Sequence, residues 1–156
     1  MQGQVGTFLL SPLSQQELLI RLGMALAIGV VIGFEREIQN KTAGLRTHML
    51  VCLSSAVFIL IPIQLGFAQP DALSRVIQGI LTGIGFVGGG VILHGNTQSL
   101  NKGSGSPQIK GLTTAASIWL ACGLGIAAGC GLWEIGLIGT LFSVLTLTVF
   151  KQLEKS

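Results

Sequence analysis

The side chains able to do chemistry in this 156-residue chain crowd into one stretch, GFEREIQNKTAGLRTHML, residues 33–50. Glu35 and Glu37 offer two carboxylates, Arg36, Lys41 and Arg46 three cations, and His48 an imidazole. Mg2+ commonly takes one or two carboxylates and keeps several of its waters, so Glu35 and Glu37 are the metal candidates here, though two acids do not establish a site. Arg46, just ahead of an oily run, could clamp one of these carboxylates with its planar fork. The plainer alternative makes the hairpin a topogenic signal tied into a knot of interfacial salt bridges. The nucleophile, base and electrophile of an active site do not assemble anywhere, so neither an enzyme nor an organic cofactor is expected.

The elements that must position this stretch are apolar. The chain is 49% hydrophobic and 10% charged, where a soluble domain carries about 25% charged residues, and its mean hydropathy is +0.73. Five runs are long enough to cross a bilayer as helices, which takes roughly 17–25 residues: 17–34, 47–67, 72–94, 112–129 and 132–150. The runs lack the alternation of membrane-barrel strands, and a helix satisfies its own backbone in lipid. The expected fold is an all-α integral membrane bundle of five transmembrane helices. Residues 1–16 form an extracytoplasmic segment, 17–150 the transmembrane domain and 151–156 a cytoplasmic tail. The stretch 95–110, GNTQSLNKGSGSPQIK, reads as a flexible loop. Residues 1–23 lack the basic start of a secretory signal, so the first run is read as a retained helix.

Lys and Arg set the orientation. Arg36, Lys41, Arg46, Lys102, Lys110, Lys151 and Lys155 fall on one side of a five-span chain. The positive-inside rule then places the N-terminus outside and the C-terminus in the cytoplasm. Arg21 and Arg75 lie toward the other side, each four residues after an acid, Glu17 and Asp71. Helical i, i+4 pairs that snorkel to the headgroups explain them; a cation or proton entrance lined by Glu17, Asp71 and Glu134 is the alternative. There is no dense basic run and no Tyr, hence no nucleic-acid partner. Cys52, Cys122 and Cys130 show neither disulfide nor zinc spacing and read as reduced, buried thiols.

Many of the 23 glycines lie within the oily runs. Gly29/Gly33, Gly79/Gly83, Gly85/Gly89 and Gly125/Gly129 are spaced as G-x-x-x-G, the spacing that lets helices approach closely in lipid. The third run, with glycines at 88–90, is expected to be the central helix touched on its backbone by its neighbours; a helix break exposing backbone groups to an ion is the alternative. Thr113 and Thr114 are expected to cap the start of the fourth helix. That helix end favours anions, so the hairpin should pack against it through Glu35 or Glu37. His48 and His94 read as interfacial.

Three segments, GFEREIQNKTAGLRTHMLV, GIGFVGGGVI and KGLTTAASIWLACGLGIAAGCG, occur in this order over residues 18–150. Together they resemble the MgtC/SapB family of bacterial membrane proteins. The resemblance implies a multi-pass protein of the bacterial cytoplasmic (inner) membrane. It also implies a link to magnesium limitation, acid stress and survival inside host cells, with the F-type ATP synthase as a possible partner. Direct magnesium transport is not implied. Many relatives carry a C-terminal ACT-like domain, which this sequence does not show. Carried over by motif, the functional residues are Glu35, Arg36, Glu37, Arg46 and Thr47 of the charged hairpin, then Gly85, Gly88 and Gly90, then Gly111, Thr113 and Thr114.

The leading expectation is a non-enzymatic regulator of membrane partners or of ion and energy homeostasis, lying in the lipid bilayer and self-associating as a homodimer through its glycine faces. The alternative is a transporter or channel subunit for Mg2+ or H+, since ionisable groups inside a membrane mark such pathways.

Overall fold

Ser14 starts the first helix with a capping box: its hydroxyl accepts from Glu17 N at 3.3 Å and Glu17 Oε2 accepts from Ser14 N at 2.8 Å. In the computed structural model, which describes residues 13–100 and 111–153, five helices follow in order: α1 Gln15–Ile38, α2 Leu45–Gln64, α3 Pro70–Leu100, α4 Leu112–Gly129 and α5 Trp133–Leu153. Among the described residues there are no strands. The fold is therefore all-helical, as the runs predict. Helix α3 continues as helix through Leu100, into the stretch read from sequence as a loop. Residues 101–110 lie outside the described part, as do residues 1–12 and the last three.

Among the described residues, four helices are long and apolar enough to cross a membrane: α1, α2, the Pro70–Leu93 part of α3, and α4. The apolar part of α5, Trp133–Val149, is shorter. The surface matches, because Leu19, Phe34, Leu50, Phe58, Phe86 and Trp119 are all exposed. Such an oily exterior is stable against lipid and is an aggregation hazard in water.

The centre of the bundle is α4, not α3. Helix α4 touches all four other helices, and 61% of its apolar window is buried, against none of the α3 window. Composition explains the reversal. The buried face of α4 reads Ser117, Ile118, Ala121, Cys122, Leu124, Gly125, Ala128 and Gly129, mostly small residues that let a neighbour's backbone come close. A Cβ on Gly125 would lie 2.8 Å from Cys52 Cα, and one on Gly129 would lie 3.0 Å from the Ala56 carbonyl oxygen. Helices α2 and α4 thus meet backbone to backbone. Helices α1 and α2 do the same, with 2.6 Å from a Cβ on Gly29 to Met49 Cα and 2.8 Å from one on Gly33 to Leu45 Cα. On α3, added Cβ atoms at Gly79, Gly83, Gly85, Gly89 and Gly90 would meet nothing within 4 Å. Among the described glycines of α3 only Gly88 meets a neighbour, Ala115 at 3.5 Å, so the expected packing on the α3 glycines is largely not made, and α3 runs unbroken, without the helix break read as the alternative.

Polar groups stitch α2 to α4 inside this contact. Cys52 Sγ donates to Ala121 O at 3.1 Å, and Ser55 Oγ lies 3.3 Å from Cys122 Sγ and 2.8 Å from Val51 O. The cysteines are free thiols; Cys52 and Cys122 are buried and Cys130 is half-buried.

Arg21 corrects a sequence expectation. It does not snorkel outward; the residue is only 2% exposed and its Nη1 donates to Gly129 O at 2.8 Å. Gly129 closes α4, where unpaired carbonyls carry the negative end of the helix dipole. A cation from α1 therefore caps the carboxyl end of the central helix. Gly131, at φ 75, leaves room for it: an added Cβ would stand 3.1 Å from the guanidinium carbon. At the α3 start, Asp71 and Arg75 are both exposed and form no ion pair within 4 Å.

Candidate functional site

The buried face of α1 reads Arg21, Ala25, Ile28, Gly29, Ile32, Gly33 and Arg36. These positions follow the helical repeat of 3.6 residues, so Arg36 extends the glycine stripe that packs on α2. The chain then turns at Gln39 and Asn40, the latter at φ 51, a left-handed conformation that Asn tolerates. Lys41 N donates to Arg36 O at 3.1 Å, folding the turn back over the end of α1. Ala43 behind it is buried in the core.

Each charge of the hairpin finds a different partner. Arg36 is 1% exposed, and its Nη1 lies 3.4 Å from Glu35 Oε2. Glu35 also accepts from the Gln39 side-chain amide. Glu37 Oε2 accepts from Leu45 N at 2.9 Å. Its carboxylate thus caps the amino end of α2, whose own N-cap, Gly44, has no side chain to do so. A Cβ on Gly44 would meet that same carboxylate, so a larger residue there would have to push the cap aside. Arg46 is exposed and Thr47 half-buried. The ion pair in this hairpin is therefore made by Arg36, not by Arg46 as expected. The reason is geometric: Arg36 is on the inward face of α1 and Arg46 on the outward face of α2. Glu35 and Glu37, two residues apart on a helix, face different ways and do not converge. Among the described residues no three of His, Cys, Asp and Glu gather where they could share a metal ion.

The hairpin does reach α4, by a residue read as interfacial. His48 is fully buried. Its Nδ1 lies 2.9 Å from Gly44 O and its Nε2 lies 3.1 Å from Ser117 Oγ, which in turn lies 2.8 Å from Thr114 O. A carbonyl only accepts, so Nδ1 carries a proton. A neutral ring then accepts at Nε2 from the Ser117 hydroxyl. A charged ring donates at both nitrogens, and the Ser117 hydroxyl turns to Thr114 O. The array holds a proton either way, with the hydroxyl rotor as the only moving part. Arg36 and Glu35 are the charged groups acting on this ring.

The remaining motif residues surround the α4 start. Gly111 is its N-cap at φ 94, a conformation that favours glycine. A Cβ there would lie 3.1 Å from Val91 O, so Gly111 also seats α4 on α3. The N-cap position itself is Gly111, which has no side chain to cap the helix; Thr113 is exposed and Thr114 is buried. Gly88 faces Ala115 at ordinary contact distance, 3.5 Å, while Gly85 and Gly90 face open space. The side chain of His94 lies outside the described residues. Sequence reasoning missed Ser117, and it missed the burial of Arg36 and His48. The signal available was the glycine stripe, which puts Arg36 three residues after Gly33 on the same face.

A profile of the MgtC family matches residues 22–156, nearly the whole chain. The chain belongs to the MgtC family. Among its relatives, protein SrpB of Synechococcus elongatus is 48% identical over 139 residues, covering 86% of this chain and 75% of SrpB. The putative magnesium transporter YhiD of Escherichia coli is 39% identical, covering 88% of this chain and 62% of YhiD. Protein MgtC of Salmonella typhimurium is 36% identical over 123 residues, covering 79% of this chain and 48% of that protein. The chain thus spans three quarters of SrpB and a smaller share of the other two. No solved structure matches it. Family membership and four apolar helices make it a multi-pass membrane protein.

Proposed function

We propose that this MgtC-family chain is a non-enzymatic regulator in the bacterial inner membrane, acting on membrane partners or on ion and energy homeostasis under magnesium limitation or acid stress. The observation that carries this reading is where the buried polar groups lie. Among the described residues, Arg21 stands at one end of α4 and Arg36, His48 and Ser117 at the other. Between them the centre is Ile118, Ala121, Cys122, Leu124 and Gly125, packed backbone to backbone. Ionisable groups at mid-depth mark an ion path; among the described residues this packing holds thiols, small apolar groups and the hydroxyls of Ser55 and Ser143, each bonded to a backbone carbonyl of its own helix. Meanwhile α3 presents a whole membrane-length face to its surroundings. A helix of a partner, a second copy or the F-type ATP synthase could take that face.

In this reading α5 makes the fifth crossing, the N-terminus lies outside, and Lys41 and Lys110 share the cytoplasmic side. The second reading is a Mg2+ or H+ transporter, favoured by the name of YhiD as a putative magnesium transporter. Purified protein in liposomes discriminates the two. No flux of Mg2+ or H+ above empty liposomes, together with a growth or ATP-level defect of the deletion strain at low magnesium, is the expected result. Flux that saturates with Mg2+ concentration would establish the transporter instead.

A further inference from the structure

The Arg36 guanidinium is buried with two of its three nitrogens unused. Nη1 meets Glu35, but Nε and Nη2 have no hydrogen-bond partner. These two nitrogens form one edge of the planar group, with parallel N–H bonds that fit two oxygens of a single oxyanion. Leaving such donors unmet in a protein interior is costly, more so for a charged group. The nearby carboxylates are committed elsewhere, Glu35 to Nη1 and Gln39, and Glu37 to Leu45 N. Among the described residues no other buried side-chain nitrogen or oxygen lacks a partner.

We propose that the open edge of Arg36 is a receptor for a phosphate group, supplied as free phosphate or as a phospholipid headgroup. Depth selects phosphate over a carboxylate. The 24 residues of α1 span about 36 Å at 1.5 Å per residue, and the hydrocarbon core is about 30 Å thick. Arg36, in the last turn, therefore lies at the level where lipid phosphates sit. Lys41 and Arg46 are exposed cations of the same hairpin but face away from the fork, so they serve as the control for a non-specific surface charge effect. In this structure the fork is buried, so its surroundings must open for the phosphate to enter. This inference is independent of whether the chain regulates or transports.

The test uses the full chain, delipidated in an uncharged detergent. Inorganic phosphate is titrated against chloride at equal ionic strength while the thermal midpoint is read. In a second arm the same protein receives phosphatidylglycerol, with native mass spectrometry counting bound lipids. Saturable stabilisation by at least one source is expected, weakened about tenfold in Arg36→Lys, which keeps the charge and loses the fork, and retained in Lys41→Gln/Arg46→Gln. The arm that responds identifies the source. In wild-type protein labelled with nitrogen-15 arginine, the Arg36 Nε–H signal should move on titration, a readout that does not depend on a variant folding. The proposal is overturned by an unmoved Nε–H signal, by equal responses of wild type and Arg36→Lys, or by saturable binding of acetate but of neither phosphate source.

Discussion

Gly125→Ala and Gly83→Ala make a matched pair on which the packing argument can fail. Both are helical glycines in G-x-x-x-G spacing within apolar spans. At Gly125 the new methyl would stand 2.8 Å from Cys52 Cα, where ordinary contact begins at 3.4 Å. Helices α2 and α4 must therefore separate locally by at least about 0.6 Å, taking backbone with them, because no flexible side chain is there to yield. Overpacking of this kind costs about 1–3 kcal/mol. Replacing glycine by alanine in a helix also gains about 1 kcal/mol of propensity. At Gly83 the methyl meets nothing within 4 Å, so only that gain applies. The propensity contribution cancels between the two variants, and Gly125→Ala should be less stable than Gly83→Ala by about 1–3 kcal/mol. Equilibrium unfolding of the full chain in mixed micelles, at a concentration where it is monomeric, measures the difference. Equal stabilities, or a larger loss at Gly83, would refute the claim that α4 and not α3 is the tightly packed helix.

His48→Ala and Ser117→Ala should be coupled. A double-mutant cycle is expected to return about 1 kcal/mol of interaction, and a value near zero would break the hairpin-to-α4 link. Arg21→Met removes the cap from the carboxyl end of α4 and should lower unfolding free energy by about 1.5–3 kcal/mol, the worth of a hydrogen bond to a charged group. Hydrogen exchange should speed up most around Gly129 if the cap acts there. Cys130 lies between α4 and α5, where burial pushes its thiol above the usual range and the Arg21 guanidinium pulls it partly back. A raised thiol keeps less thiolate at neutral pH, so alkylation should be slow there and accelerate only as pH climbs past the ordinary cysteine value. Fast labelling at neutral pH would contradict the burial.

Several features were legible one residue at a time. The five helices follow from oily runs that no soluble fold could hide. The capping box of Ser14 and Glu17 came only with the structure, since the sequence spacing pairs Glu17 with Arg21. The hairpin motif GFEREIQNKTAGLRTHMLV located the residues around the buried cluster, and family membership follows from the same segments. The partners within that hairpin were not legible. Arg36 and Arg46 are the same residue type, ten positions apart, and either could close on a carboxylate. Only the rotation of α1 against α2, set by Gly29 and Gly33, turns Arg36 inward and leaves Arg46 in solvent.

The same limit explains the central helix. The sequence by itself determined that helices would form, where most of them would start and stop, and that glycines would matter to how they met; the end of α3, helical to Leu100, was not among the ends it placed. It could not say which glycine face would be used. Three consecutive glycines on α3 and single glycines on α4 satisfy the same spacing rule, because close approach depends on both partners. Helix α2 offers Cys52 and Ala56 to α4, with a thiol and a hydroxyl to bond its backbone and side chains. Tertiary structure decided the matter by that complementarity, since in lipid every apolar face is equally welcome and only fit between surfaces distinguishes one neighbour from another.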